Sequence, residues 1–176
     1  MGFLGLEVPK AAPGYRKRRF LAFVIDLAVI VVIWYISFSL TGKPDFLAVK
    51  TAMDAANILT GTSQQTALTE VFAKYDVAFQ FGLILWFAYD AIFMVASNGR
   101  TLGKFLMGMQ IVPTNPERNR LLSIALLILR AFIKALSLYI FQAIPFAICA
   151  LTVFASSNRS GFDSFVKTEV VDVRKN

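Results

Sequence analysis

Residues 15–34 read YRKRRFLAFVIDLAVIVVIW, and no other stretch limits the fold of this chain so tightly. Four cations, Arg16, Lys17, Arg18 and Arg19, run straight into an apolar segment, Phe20 to Leu40. As a helix at 1.5 Å per residue, that segment is about 31 Å long, enough to cross the hydrocarbon core of a bilayer. A soluble domain of 176 residues could not hide it alongside the rest of a chain that is 57% hydrophobic and holds 17 Phe. The sequence is therefore that of an integral membrane protein. One carboxylate, Asp26, sits inside the run, where an unpaired charge costs at least roughly 2.5–3.5 kcal/mol. It must find a cation, face water or take a proton.

A second span is predicted over 77–97, closed by Asn98-Gly99, and a third apolar region over 121–154. The third is about 51 Å if straight, too long for one crossing, and carries Arg130, Lys134 and Pro145. It reads either as a tight hairpin of two short helices hinged near Ser137 to Gln142, or as an interfacial basic helix over 121–136 followed by one span. Lys and Arg crowd segments 1–19, 98–120 and 155–176, whereas segment 41–76 has Lys43, Lys50 and Lys74 against Asp45, Asp54, Glu70 and Asp76. The positive-inside rule places the N-terminus, the 98–120 loop and the tail in the cytoplasm and 41–76 outside. The N-terminal run is expected to stay as an uncleaved anchor, because no small-residue cleavage site follows it.

Shorter signals complete an all-α bundle of three to four spans. DFLAVKTAMDAANILT has apolar residues at helical spacing, and TALTEVFAK begins a helix that continues into the second span. MQIVP (109–113) and TEVVDV (168–173) are β-prone and are expected to pair as a small cytoplasmic ribbon.

The intramembrane charges form a pattern. Asp26 and Asp90 both fall about 10 Å from the inner ends of consecutive antiparallel spans. Arg130 and Lys134 share a helical face at i, i+4, and Arg19 lies two turns before Asp26. The expected cluster is Arg19, Asp26, Asp90, Arg130 and Lys134, with Gln80, Tyr89, Tyr139 and Gln142 completing its hydrogen bonds. Two roles are open to it: fixing helix packing, or reversibly binding a proton or small cation.

Much chemistry is excluded. With one cysteine (Cys149) and no histidine there is no intrachain disulfide, no His-based triad and no zinc site of ordinary composition. GRTLGKF is one residue short of a phosphate loop and has Phe105 where Ser or Thr is required. No enzyme activity, cofactor or resident metal is expected. The net charge of +7 lies beside apolar segments, so the expected partner is the anionic inner leaflet of a bacterial cytoplasmic membrane rather than nucleic acid. Asn158-Arg159-Ser160 matches a glycosylation acceptor but falls on the side assigned to the cytoplasm.

RRFLAFVID, FAYDAIFMVASNGRTLGKFLMGMQIV, and LRAF followed by SGFDSFVKTEVV together resemble the RDD family of bacterial membrane proteins, named for one arginine and two aspartates. The resemblance places the family's residues at Arg19, Asp26 and Asp90, with a basic exit at Arg100 and Lys104. Where family members often have His-Asp, this chain has Phe162-Asp163, so any role for that imidazole is absent and Asp163 is left as a partner for the basic loop. The resemblance implies either a small proton or monovalent-cation antiporter, working as an oligomer, or a non-catalytic subunit or assembly factor of a larger membrane complex.

Overall fold

In the computed structural model, which describes residues 14–114, 120–140, 144–151 and 160–173, Gly14 at φ +81° turns the chain into helix α1, Tyr15–Thr41. The four cations thus form the opening turns of the helix rather than a tail leading to it, since Lys and Arg are good helix formers and nothing before Phe20 breaks the run. Gly42 ends α1, its amide donating to the Phe38 carbonyl at 2.8 Å. Asp45 then caps α2, Phe46–Ala56, by accepting the Ala48 amide at 2.9 Å. Helix α3, Gly61–Ala96, is 36 residues and roughly 54 Å long, so it outreaches a hydrocarbon core by several turns. The chain continues through α4 (Leu102–Leu106), β1 (Met109–Pro113), α5 (Arg120–Tyr139), α6 (Ile144–Leu151), α7 (Gly161–Phe165) and β2 (Thr168–Asp172). Helices α1, α3 and α5 are each long and apolar enough to cross a membrane, and the chain is a mostly helical membrane protein.

The third apolar region breaks between α5 and α6, with Pro145 tolerated in the first turn of α6, where a backbone N–H has no helical acceptor. Helix α6 packs back against α5 and against α7. Its described residues, Ile144–Leu151, cover about 12 Å. Gln142 and the Asn158 acceptor lie outside the described residues.

The chain divides into two compact units. Residues 30–85 form one, in which the Trp34 indole donates to the Gly82 carbonyl at 3.0 Å and stacks at a tilt on Phe46. Residues 1–29 and 86–176 form the other. There β1 and β2 pair antiparallel, with Ile111 opposite Val170, and Met109, Ile111 and Val170 pack with Tyr15, Met94, Leu127 and Ala131. Helix α5 covers the ribbon with an unusual face: Ser123, Leu127, Arg130, Ala131, Lys134 and Ser137 are buried, while Leu121, Leu129, Phe132 and Leu136 are exposed. In water that pattern would be inverted; in lipid it turns the polar side chains toward protein partners.

Gly99, at φ +90°, makes the turn from α3 toward the ribbon, and its carbonyl accepts the Ile111 amide at 2.9 Å. A Cβ there would stand 2.2 Å from the Ile111 carbonyl oxygen. Gly99→Ala should therefore destabilise the protein by about 2 kcal/mol or more, read as a lowered unfolding midpoint in detergent micelles.

Candidate functional site

Among the described residues of the unit of residues 1–29 and 86–176, three carboxylates are almost wholly buried: Asp26 and Asp90 at 1% exposure and Asp163 at 0%. A carboxylate removed from water must recover its hydrogen bonds from protein, and the three do so to different degrees.

Asp26 shares a buried stripe of α1 with Tyr15 and Ala22. Its Oδ1 accepts from the Tyr89 hydroxyl and from the Gly103 amide, both at 2.8 Å. Its Oδ2 accepts from the Thr101 hydroxyl at 2.6 Å and lies 3.6 Å from Lys104 Nζ. The Thr101 hydroxyl in turn accepts from Lys104 Nζ at 3.1 Å, and the Leu102 amide donates to Tyr89 Oη at 3.2 Å. The first amides of α4 are thus spent on α1 and α3. Close approach requires a bare backbone: a Cβ on Gly103 would stand 2.1 Å from the Ala22 carbonyl oxygen. Burial pushes the Lys104 ammonium down to about 8 against the pull of Asp26, with Lys134 and Arg130 adding repulsion.

Asp163 is saturated in another way. Its Oδ1 accepts from Arg130 Nε at 3.0 Å and Nη2 at 2.8 Å, and its Oδ2 from Arg19 Nη2 and from the Ser160 amide at 3.0 Å. The Asp163 amide returns a bond to Ser160 Oγ at 3.2 Å, closing a capping box at the start of α7. Burial alone would raise this carboxyl, but Arg130 and Arg19 outweigh it and hold it well below the usual range.

Asp90 differs from both. Its Oδ2 accepts from Lys134 Nζ at 2.7 Å, and its Oδ1, also buried, has no hydrogen-bond partner. Lys134 Nζ stands 5.1 Å from the centre of the Trp86 ring, one turn before Asp90 on α3. The Trp86 Nε1 is likewise buried without an acceptor.

The pairings differ from those expected. Arg19 does not meet Asp26, because helical side chains lean toward the N-terminus and Arg19 reaches back to Tyr15 Oη (3.2 Å) and across to Asp163. Arg130 goes to Asp163 and Lys134 to Asp90, so of the two α5 cations Lys134 alone meets an acid within a span, one helical turn separating them along α5. Of the basic loop, Lys104 serves Asp26, while Arg100 Nη2 donates to Gln110 at 3.2 Å; neither has Asp163 as its salt-bridge partner. Tyr89 belongs to Asp26, whereas Gln80 belongs to the other unit and donates to Asp76 at 2.7 Å. Tyr139 is half exposed. Phe162, in place of the family's imidazole, packs on Phe146 with ring centres 5.7 Å apart. Sequence reasoning missed Thr101, Gly103 and Ser160, of which only the last left a signal, the Ser-x-x-Asp spacing of a capping box; the aromatic run of Trp86, Phe87, Tyr89 and Phe93 read as helix packing rather than a ligand cage. Among the described residues no group of three His, Cys, Asp or Glu could hold a metal ion.

Residues 13–166 match the family model described as RDD family. The chain belongs to the RDD family. No curated protein and no solved structure matches it. In this RDD protein Arg19 and Asp26 sit in saturated networks and Asp90 in an open one.

Two outcomes follow for the RDD network. Asp163→Asn removes the carboxylate that Arg19 and the buried Arg130 share and should cost about 3–5 kcal/mol, measured by unfolding in detergent. Lys104, whose folded value of about 8 lies below its ordinary 10.5, binds fewer protons folded than unfolded between those two values. Stability should therefore rise with pH across that window, and Lys104→Met should flatten the rise.

Proposed function

We propose that this RDD protein exchanges protons or monovalent cations across a bacterial cytoplasmic membrane, with Asp90 as the exchanging carboxylate and Lys134 as its resident counter-charge. The observation that carries the reading is the contrast in saturation: Asp90 has one hydrogen bond and a free buried oxygen, whereas Asp26 and Asp163 have none to spare. An acid whose partners are all fixed frames a fold; an acid held by one flexible ammonium can change partners. Asp26 is then a framing residue rather than half of an exchanging pair. The positive-inside bias supports an N-terminus, ribbon and tail in the cytoplasm, and an oligomer would help three helices enclose a path.

A second reading is a non-catalytic subunit of a larger complex. The saturation of Asp26 and Asp163, which tie α1, α3, α4, α5 and α7 together, favours it. Flux in vesicles separates the two. Under transport, Asp90→Asn abolishes pH-gradient-coupled cation flux in protein that still elutes as a single species, while Asp26→Asn lowers stability first. Unchanged flux in Asp90→Asn would sink the transport reading. A wild-type protein without flux that purifies with a stoichiometric companion would support the second.

A further inference from the structure

Lys134 brings an ammonium group to Asp90 on the end of a flexible stem, and the surroundings of that group describe the kind of cation the place accepts. Its Nζ lies 2.7 Å from Asp90 Oδ2 and 5.1 Å from the Trp86 ring centre. A carboxylate oxygen on one side and an indole face on the other is the pairing that holds ammonium groups out of water. Trp86 is itself held, its ring edge-on to Phe146 with centres 6.4 Å apart. Trp86, Asp90 and Lys134 are each more than nine-tenths buried.

We infer that the corner formed by Trp86 and Asp90 is a seat for an ammonium-type monovalent cation, which Lys134 occupies as a built-in ligand. Two observations point to a second occupant. Asp90 Oδ1 is buried and accepts nothing, so the carboxylate has an acceptor left for an incoming N–H donor. Trp86 Nε1 is buried and donates to nothing, so the same turn of α3 has a donor left for a water or counter-group that travels with the cation. The donor set also says what is refused. Divalent metals take six or more oxygen ligands, and no cluster of three acidic side chains exists among the described residues. Asp26 and Asp163 offer no comparable place, because each of their oxygens already has partners. The long stem of Lys134 lets its ammonium withdraw when a free cation takes the seat.

This inference names the cation class for the exchange proposed above and depends on that reading for its physiological meaning, but binding can be measured without transport. The full chain has two Trp, so Trp34→Phe leaves Trp86 as the sole indole reporter. In phosphatidylcholine nanodiscs at fixed pH and ionic strength, methylammonium should change Trp86 fluorescence saturably and magnesium should not. Asp90→Asn should abolish the change. Lys134→Met, which empties the seat, should bind methylammonium at least about tenfold more tightly. Should that variant fail to elute as a single species, Lys134→Gln is read in its place, and the wild-type titration decides alone if both fail. No saturable change, an equal response to magnesium, unaltered binding in Asp90→Asn or no tightening on loss of Lys134 would each overturn the inference. Cation flux in vesicles without methylammonium binding overturns the seat and leaves the transport reading; binding without flux does the reverse.

Discussion

Asp26 accepts two hydroxyls and one backbone amide and faces one ammonium, and those four donors come from α3, from α4 and from the turn that leads into it. The carboxylate cannot be in lipid without them, and they cannot converge unless Gly103 lets the backbone of α4 touch that of α1. The demand of one buried acid for hydrogen bonds thus sets the position of a short helix that has little apolar surface of its own. With α4 in place, Gly99 and Gly108 bring β1 under the end of α3, and the ribbon core of Met109, Ile111 and Val170 closes on Tyr15. Framing by Asp26 comes first in this chain of dependence, whereas Asp90 is held by a single hydrogen bond.

Much of this was legible in the sequence. The length of 20–40 and 77–97 pointed to spans, the β-prone runs 109–113 and 168–173 to a paired ribbon, and the helical spacing of Phe46, Val49, Met53 and Ala56 to α2. The five charged residues expected to cluster are all in one unit, and all are bound to acids or bases there. What sequence could not supply was who pairs with whom. Arg19 and Asp26 share a helix face, but side-chain lean sends the guanidinium the other way. Thr101 and Gly103 read as ordinary loop residues until a carboxylate 75 or more positions away is seen to need them.

Helix α5 explains why a chain with so much apolar surface still buries lysine and arginine. Its outward face is leucine and phenylalanine, and its inward face presents two cations one turn apart, each to a different acid on a different element. The pairing is also asymmetric in chemistry. The guanidinium of Arg130 fits a planar two-bond grip on Asp163, whereas the ammonium of Lys134 makes a single point contact with Asp90. Rigid and yielding contacts are therefore built into one helix by the choice between two basic residues.

The ribbon joins residues 109–113 to 168–172, and Tyr15, Arg18 and Arg19 at the start of α1 bond to Val170, Asp172 and Asp163 near the other end of the chain. These are contacts of more than 140 residues in sequence separation. A chain growing from its N-terminus makes Arg19 and Arg130 before Asp163, the acid they share. Synthesis order thus makes the segment around Asp163 and Asp172 a latch: the charged end of α1 is fastened to it only after the segment has been made. A chain that stops short of that segment would lack the one carboxylate on which the two guanidiniums converge.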